Sequence, residues 1–160
     1  MAKKSKPKKT LVEQILTKAK IDHIGLQINA LDENSSHLFE RSQIYKTLAL
    51  TGDKTGPIIG ILPITEHLSE KKLAKISGNK KVSMIPQKDL EKTTGYIHGA
   101  NNPVGIRQKH HFPIFIDQSA LERENIIVSA GEVGRSVQIN AKDLATFVEA
   151  SFADLQEDGY

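Results

Sequence analysis

The 160-residue chain contains no cysteine. Disulfides, thiolate metal sites and a protein thiol nucleophile are thereby excluded, and a reducing compartment fits. No apolar run approaches the roughly 20 residues a helix needs to cross a bilayer. The N-terminus is basic, but no apolar stretch follows it, so it does not read as a secretory signal. A soluble, cytoplasmic protein with no membrane partner is expected. Chemical signatures are missing too. There is no G-x-G-x-x-G or Walker loop, no H-E-x-x-H helix and no G-x-S-x-G elbow. His110 and His111 are adjacent, so a strand would turn them to opposite faces, away from a shared metal. The residues call for no metal and no cofactor.

Charge is present but unevenly placed. The net charge is +3, and Lys3, Lys4, Lys6, Lys8 and Lys9 supply +5, leaving 3 − 5 = −2 for the remainder. The body is therefore not a basic nucleic-acid binder by bulk charge. A lysine arm attracts phosphates without sequence preference, and it also serves as a solvated tail. The expected organisation is a disordered arm at 1–9, one domain at 10–155 and a short tail at 156–160.

Thr10 with Glu13 forms a capping box for a helix reaching about Lys20, with Leu11, Val12, Ile15, Leu16 and Ala19 on its apolar face. A short strand is expected at 24–28, and a short helix capped by Asp32 at 32–39. Strands at 43–50 and 57–64 flank a Gly-rich turn and form a hairpin, the second strand apolar enough to be central. Ser69 caps a helix at 70–77, with Leu73, Ala74 and Ile76 inward and Gly78 as its stop. Further strands are expected at 82–85, 112–116, 126–130 and 136–139. Pro113 argues for an edge position or a bulge, and 107–111 reads as a basic solvated loop. One or two helical turns at 88–92 and a last helix at 142–151, capped by Asn140, complete the reading. These elements predict an α+β fold with a single mixed, largely antiparallel sheet and flanking helices.

Two features stand out. Three glycines, one proline and two asparagines fall within the eleven residues from Gly95 to Gly105. Such a stretch cannot be a regular helix or a central strand, and Asn102-Pro103 reads as a turn. Taken alone it is an ordinary surface turn, though one able to present bare N–H groups to a ligand oxygen. The second feature is Lys46. Alternation places it on one face with Ile44, Leu48 and Leu50. A lysine there is expensive to bury unless it reaches solvent or has a partner. Facing a cleft, its ammonium can hold a phosphate or carboxylate, or stabilise an oxyanion. His98, in the loop, is able to touch a ligand, although a lone loop histidine is more often simply exposed.

Together these stretches resemble the YbaK/EbsC family of prolyl-tRNA-synthetase-associated editing domains, the EbsC-like branch most of all. The resemblance rests on Tyr45-Lys46-Thr47-Leu48, Leu73-Ala74-Lys75, Gly95-Tyr96, the run from Gly99 to Gly105, and Ile127-Val128-Ser129-Ala130-Gly131. It implies a mixed sheet with a cleft and release of a mischarged amino acid from tRNA, typically cysteine from proline tRNA. Lys46 falls on the family's required lysine. The resemblance assigns substrate binding to Tyr45, Gly99, Ala100, Asn101, Asn102, Pro103, Gly131 and Ser136. The family loop often reads Gly-Gly-x-Ser-Pro, whereas here Ala100 and Asn102 replace the second glycine and the serine. Ser136 stands where other branches carry an acid.

The implied substrate is the 3′ end of aminoacylated tRNA, with prolyl-tRNA synthetase as a further partner. An aminoacyl ester is already activated, so positioning and charge stabilisation suffice. Water attacks it or, for a cysteinyl substrate, the substrate's own thiol. The rival reading is a non-catalytic aminoacyl-tRNA-binding module of the same fold. A third, a general nucleic-acid binder, rests on the lysine arm alone.

Overall fold

Thr10 caps α1 (Leu11–Lys18) through the full capping box: its hydroxyl accepts from the Glu13 N–H while the Glu13 carboxylate accepts from the Thr10 N–H. The computed structural model describes residues 8–28 and 39–158. Most of the basic arm and nearly all of the helix expected from Asp32 lie outside the described residues. After α1 come β1 (His23–Leu26), a single 3-10 turn at Arg41–Gln43, β2 (Tyr45–Gly52) and β3 (Gly56–Pro63). Next are α2 (Glu70–Ser77), β4 (Val82–Met84), α3 (Gln87–Thr94) and α4 (Pro103–Lys109). The chain closes with β5 (Ile114–Asp117), α5 (Ala120–Arg123), β6 (Asn125–Ser129), β7 (Ser136–Asn140), α6 (Ala141–Val148) and β8 (Ser151–Ala153).

The α+β class and the mixed, largely antiparallel pairing follow the expectation. The strands divide into two sheets rather than one, a five-stranded sheet in the order β4-β2-β3-β5-β8 and a three-stranded sheet in the order β1-β7-β6. Among the described strands the parallel pairs are β3–β5 and β5–β8. Among the described residues one parallel bridge, Ile44 to Ile127, joins the sheets. The main core draws Tyr45, Ala49, Ile59, Ile61 and Ile116 from the larger sheet and Ile126, Val128, Val137 and Ile139 from the smaller, closed by α1, α4 and α6. The opposite face of the larger sheet packs Leu50 and Ile58 against Leu73 and Ala74 of α2 and against Leu155.

Several local expectations are revised. Pro113 is not on an edge: β5 lies between β3 and β8, and the proline precedes the ladder, where its carbonyl accepts from Ile59 N–H at 2.9 Å. Its missing donor is therefore never needed. The basic run from Arg107 to Lys109 is the last turn of α4, not a loop. Ile76 is exposed, because only Leu73 and Ala74 of α2 reach the core. The last helix stops at Val148, where Glu149 turns left-handed (φ 57°), and the chain then enters β8. The expected tail is partly built in: Gln156 bridges Leu68, and Glu157 N–H donates to the His67 carbonyl at 2.9 Å.

The Glu13 carboxylate also pairs with the Arg135 guanidinium at 2.8 Å, and both side chains are largely buried. Removing one partner of such a pair strands the other charge. Glu13→Ala should therefore lower unfolding free energy by about 2–3 kcal/mol, the lost carboxylate half of the capping box included. Denaturant titration checks this; a change below about 0.5 kcal/mol, the range of a neutral surface substitution, contradicts it.

Candidate active site

The site begins with the outer edge of β2. Ile64 N–H donates to the Ile44 carbonyl, so the antiparallel register turns the backbone groups of Ile44, Lys46, Leu48 and Leu50 toward β3. Those of Tyr45, Thr47 and Ala49 face the opposite edge. There β4 covers Leu50–Gly52, and Ile85 N–H adds one bond to the Ala49 carbonyl. Pro86 then takes the chain out of the ladder before the rung opposite Thr47. At the other end, among the described residues, the backbone link to β6 is the Ile44–Ile127 bridge, just before β2 begins. The edge around Thr47 is thus left without a strand partner, and the Thr47 hydroxyl is buried with no hydrogen-bond partner among the described residues.

A cleft of about 330 Å³ lies over this gap. Its walls include Lys46, Thr47 and Leu48 of β2, Met84 and Gln87 beyond it, His98, Gly99 and Asn101 of the loop, and Ser129 at the end of β6. Lys46 is half-buried, and its Nζ donates to the Glu66 carbonyl oxygen at 2.7 Å. An ammonium has three donors, and among the described residues this is the one bond it makes, so two remain for a ligand. Burial pushes the Lys46 pKa below the ordinary 10.5, and the Glu66 carboxylate opposes that shift.

The loop is held from behind. Thr94 ends α3 fully buried, with its hydroxyl oxygen 2.9 Å from Asn101 Oδ1 and accepting from Tyr96 N–H. Gly99 takes φ 90°, a conformation open to glycine. Ala100 N–H donates to the Ile97 carbonyl. Among the described residues no hydrogen bond occupies the N–H of Gly99 or Asn101. Asn102 is completely buried; its side chain accepts from Gly105 N–H at 2.5 Å and caps α4, with Pro103 at the first helical position. The sequence reading of Asn102-Pro103 as a turn is thus replaced by a helix start. Gly105 serves close approach, since a Cβ there would lie 1.8 Å from the Tyr96 hydroxyl oxygen.

The structure brings Lys46, Gly99 and Asn101 together in the cleft. Tyr45 stands at its wall, but the ring is buried on the opposite face of β2, 2.7 Å from Ser119 Oγ. Ser119 gives its own proton to Asp117, so the phenol is the donor in that pair. Burial raises the Tyr45 pKa. Ala100, Asn102 and Pro103 are buried behind the loop. Gly131 packs against Val12, Asn102 and Tyr96. Ser136 is buried and donates to the Ile28 carbonyl at 2.8 Å; it does not line the cleft. Thr47, Ser129 and Gln87 line the cleft without having been singled out. Thr47 and Ser129 lay inside the recognised motifs, next to Lys46 and two residues before Gly131.

Replacing Glu66 by Gln removes the charge that holds the Lys46 pKa up. In Glu66→Gln the Lys46 ammonium should titrate at a lower pH than in the wild type, read from 13C-labelled lysine by NMR. Burial disfavours the cation, so the variant also loses stability at neutral pH, and that loss fades as pH rises through the Lys46 pKa toward 10.5. An unchanged or higher Lys46 pKa contradicts this electrostatic account.

The family model described as "Aminoacyl-tRNA editing domain" matches residues 29–147. A protein of Enterococcus faecalis, "Putative Cys-tRNA(Pro)/Cys-tRNA(Cys) deacylase EbsC", is 36% identical over 166 aligned residues, covering 97% of this chain and 98% of that protein. The "Crystal structure of a putative trans-editing enzyme for prolyl tRNA synthetase" superposes with a TM-score of 0.77 at 21% identity, over 92% of this chain and 95% of that one. The crystal structure of a hypothetical protein gives a TM-score of 0.81 at 18% identity, over 91% and 99%. Both structural likenesses are likenesses of fold. With the family match spanning most of the chain and the curated relative nearly all of it, the chain belongs to the aminoacyl-tRNA editing domain family.

Proposed function

We propose that this protein is a trans-acting aminoacyl-tRNA deacylase that clears mischarged tRNA, with cysteine on proline tRNA as its substrate. Membership of the editing family supports the substrate class, and the relative named for Cys-tRNA(Pro) and Cys-tRNA(Cys) supports the amino acid. The observation that carries the reading is the meeting, in one cleft, of the Lys46 ammonium with the Gly99–Asn101 backbone over the open edge of β2. The cleft volume, about 330 Å³, is at the small end of ligand sites and suits an amino acid with the ribose it esterifies.

In this reading the nucleophile comes from outside the protein. Water, or the thiol of the cysteinyl group itself, adds to the ester carbonyl carbon. The bond to the ribose oxygen breaks, and that oxygen leaves with a proton as a free hydroxyl. Attack by water yields the free amino acid; attack by the thiol yields a cyclic thioester. In this mechanism the N–H groups of Gly99 and Asn101 receive the carbonyl oxygen, and Lys46, which lines the same cleft, meets the developing charge or the adjacent phosphate. Lys46 is held by Glu66, so it need not be reorganised when charge develops.

A prolyl-tRNA synthetase partner would supply tRNA identity, which a cleft of this size does not read. The neighbouring fold described as a trans-editing enzyme for prolyl tRNA synthetase supports that pairing. Among the described residues no helix is long and apolar enough to cross a membrane. The cytoplasm, where tRNA is charged, is the proposed location.

Lys46→Ala should lower kcat/KM for release of cysteine from mischarged proline tRNA by about 100-fold or more, the scale of losing one preorganised electrostatic contact. Its circular dichroism and melting should stay close to wild type. Full turnover in the folded variant removes Lys46 from the mechanism. A wild-type protein that binds aminoacyl-tRNA yet releases no amino acid across a panel of mischarged tRNAs overturns the deacylase reading in favour of a binding module.

A further inference from the structure

A second groove, of about 410 Å³, adjoins the cleft. The two share Lys46, Leu48 and Met84. Beyond that common wall the groove is lined by Leu68 and rimmed by His67, Glu70 and Glu157. It lies on the α2 side of the larger sheet, where Leu48 and Leu68 pack against the smaller core cluster. Met84 is 45% exposed on the short edge strand β4. The groove's position is set by the backbone, since Ser69 N–H donates to Leu155 and Glu157 N–H to His67.

We propose that this groove receives the adenine base of the 3′-terminal nucleotide of tRNA. The inference rests on the deacylase reading and names the part of the substrate that the cleft leaves outside. An aminoacyl ester sits on the ribose of the terminal adenosine, so a base must lie one sugar away from the reacting carbonyl. The groove shares Lys46 with the cleft. Its chemistry matches a base better than a phosphate. Leu48, Leu68 and Met84 offer an apolar surface to a flat ring, and His67 offers a ring to stack on. Glu70 and Glu157 repel a phosphate but accept hydrogen bonds from the exocyclic amine that adenine carries. Lys46, at the junction, is left beside the ribose and its phosphate.

The test compares three substrates bearing the amino acid most readily released: mischarged tRNA, the 2′(3′)-O-aminoacyl adenosine, and the 2′(3′)-O-aminoacyl ribose that lacks the base. In the wild type kcat/KM should be about tenfold higher for the adenosine than for the ribose, the scale of one stacked base. In His67→Ala and in Met84→Glu, both changes of exposed side chains, that ratio should fall toward one. A wild-type ratio near one, or variants that keep the wild-type ratio, overturns the groove assignment while leaving the deacylase intact. A wild-type protein inactive on all three overturns the deacylase reading and this inference with it.

Discussion

The edge of β2 is paired at both ends and open in the middle, and the site exists because of that gap. An unpaired stretch of strand edge is normally a liability, covered or shortened to prevent association. Here Pro86 ends one neighbouring strand a rung too early, and the Ile44–Ile127 bridge joins the other at the far end. The space between the two sheets cannot close without another strand in it. Main-chain donors and acceptors around Thr47 therefore face a cleft rather than a ladder. The same geometry brings Lys46 and the Gly99 loop to the two sides of one opening.

Lys46 is the residue for which the gap matters most. Strand alternation alone would have aimed its ammonium into the packing between the larger sheet and α2. It reaches the border of that cluster, and one backbone carbonyl, that of Glu66, takes one of its three donors. The arrangement balances two effects. Burial disfavours the cation, whereas the Glu66 carboxylate favours it. A fully solvated lysine would interact weakly with a developing anion, because water screens it. A fully buried one would lose its proton. Half-burial with one carbonyl anchor keeps the charge, aims it and leaves two donors free.

Local signals in the sequence carried much of the fold. Thr10 with Glu13, Ser69 with Gly78, and Asn140 are capping signals whose physics is complete within a few residues, and each sits at the helix end it marks. The β2–β3 hairpin was equally legible, and so was Lys46 as the one charged side chain on its strand face. What needed the whole molecule was less visible. Asn102-Pro103 carries two compatible meanings, turn or helix start, and burial of α4 decides between them. Division into two sheets depends on where β6 meets β2, a contact across more than half the chain. β8 has three residues and no pattern of its own. Ser129 looked like part of a strand because it is; only the position of Gly99 beside it, with Ser129 Oγ 3.4 Å from the Gly99 carbonyl, brings it to the cleft.

The loop between α3 and α4 shows why sequence departures from a family pattern need not mean lost chemistry. In the family resemblance Ala100 and Asn102 replace a glycine and a serine, and with Ser136 they motivate the binding-only reading. In the structure neither side chain enters the cleft. Ala100 is buried, and Asn102 spends its amide on Gly105 N–H and on the Ala100 carbonyl, capping α4 and closing the loop on itself. Serine and asparagine are both strong N-caps, so the exchange preserves the cap that the position requires. In the proposed deacylase the groups used from this loop are N–H groups of the main chain, and side-chain exchange leaves them in place as long as the loop keeps its path. That path is held by Thr94 from one side, by the α4 cap from the other, and by Gly131 packed against Asn102 from beneath.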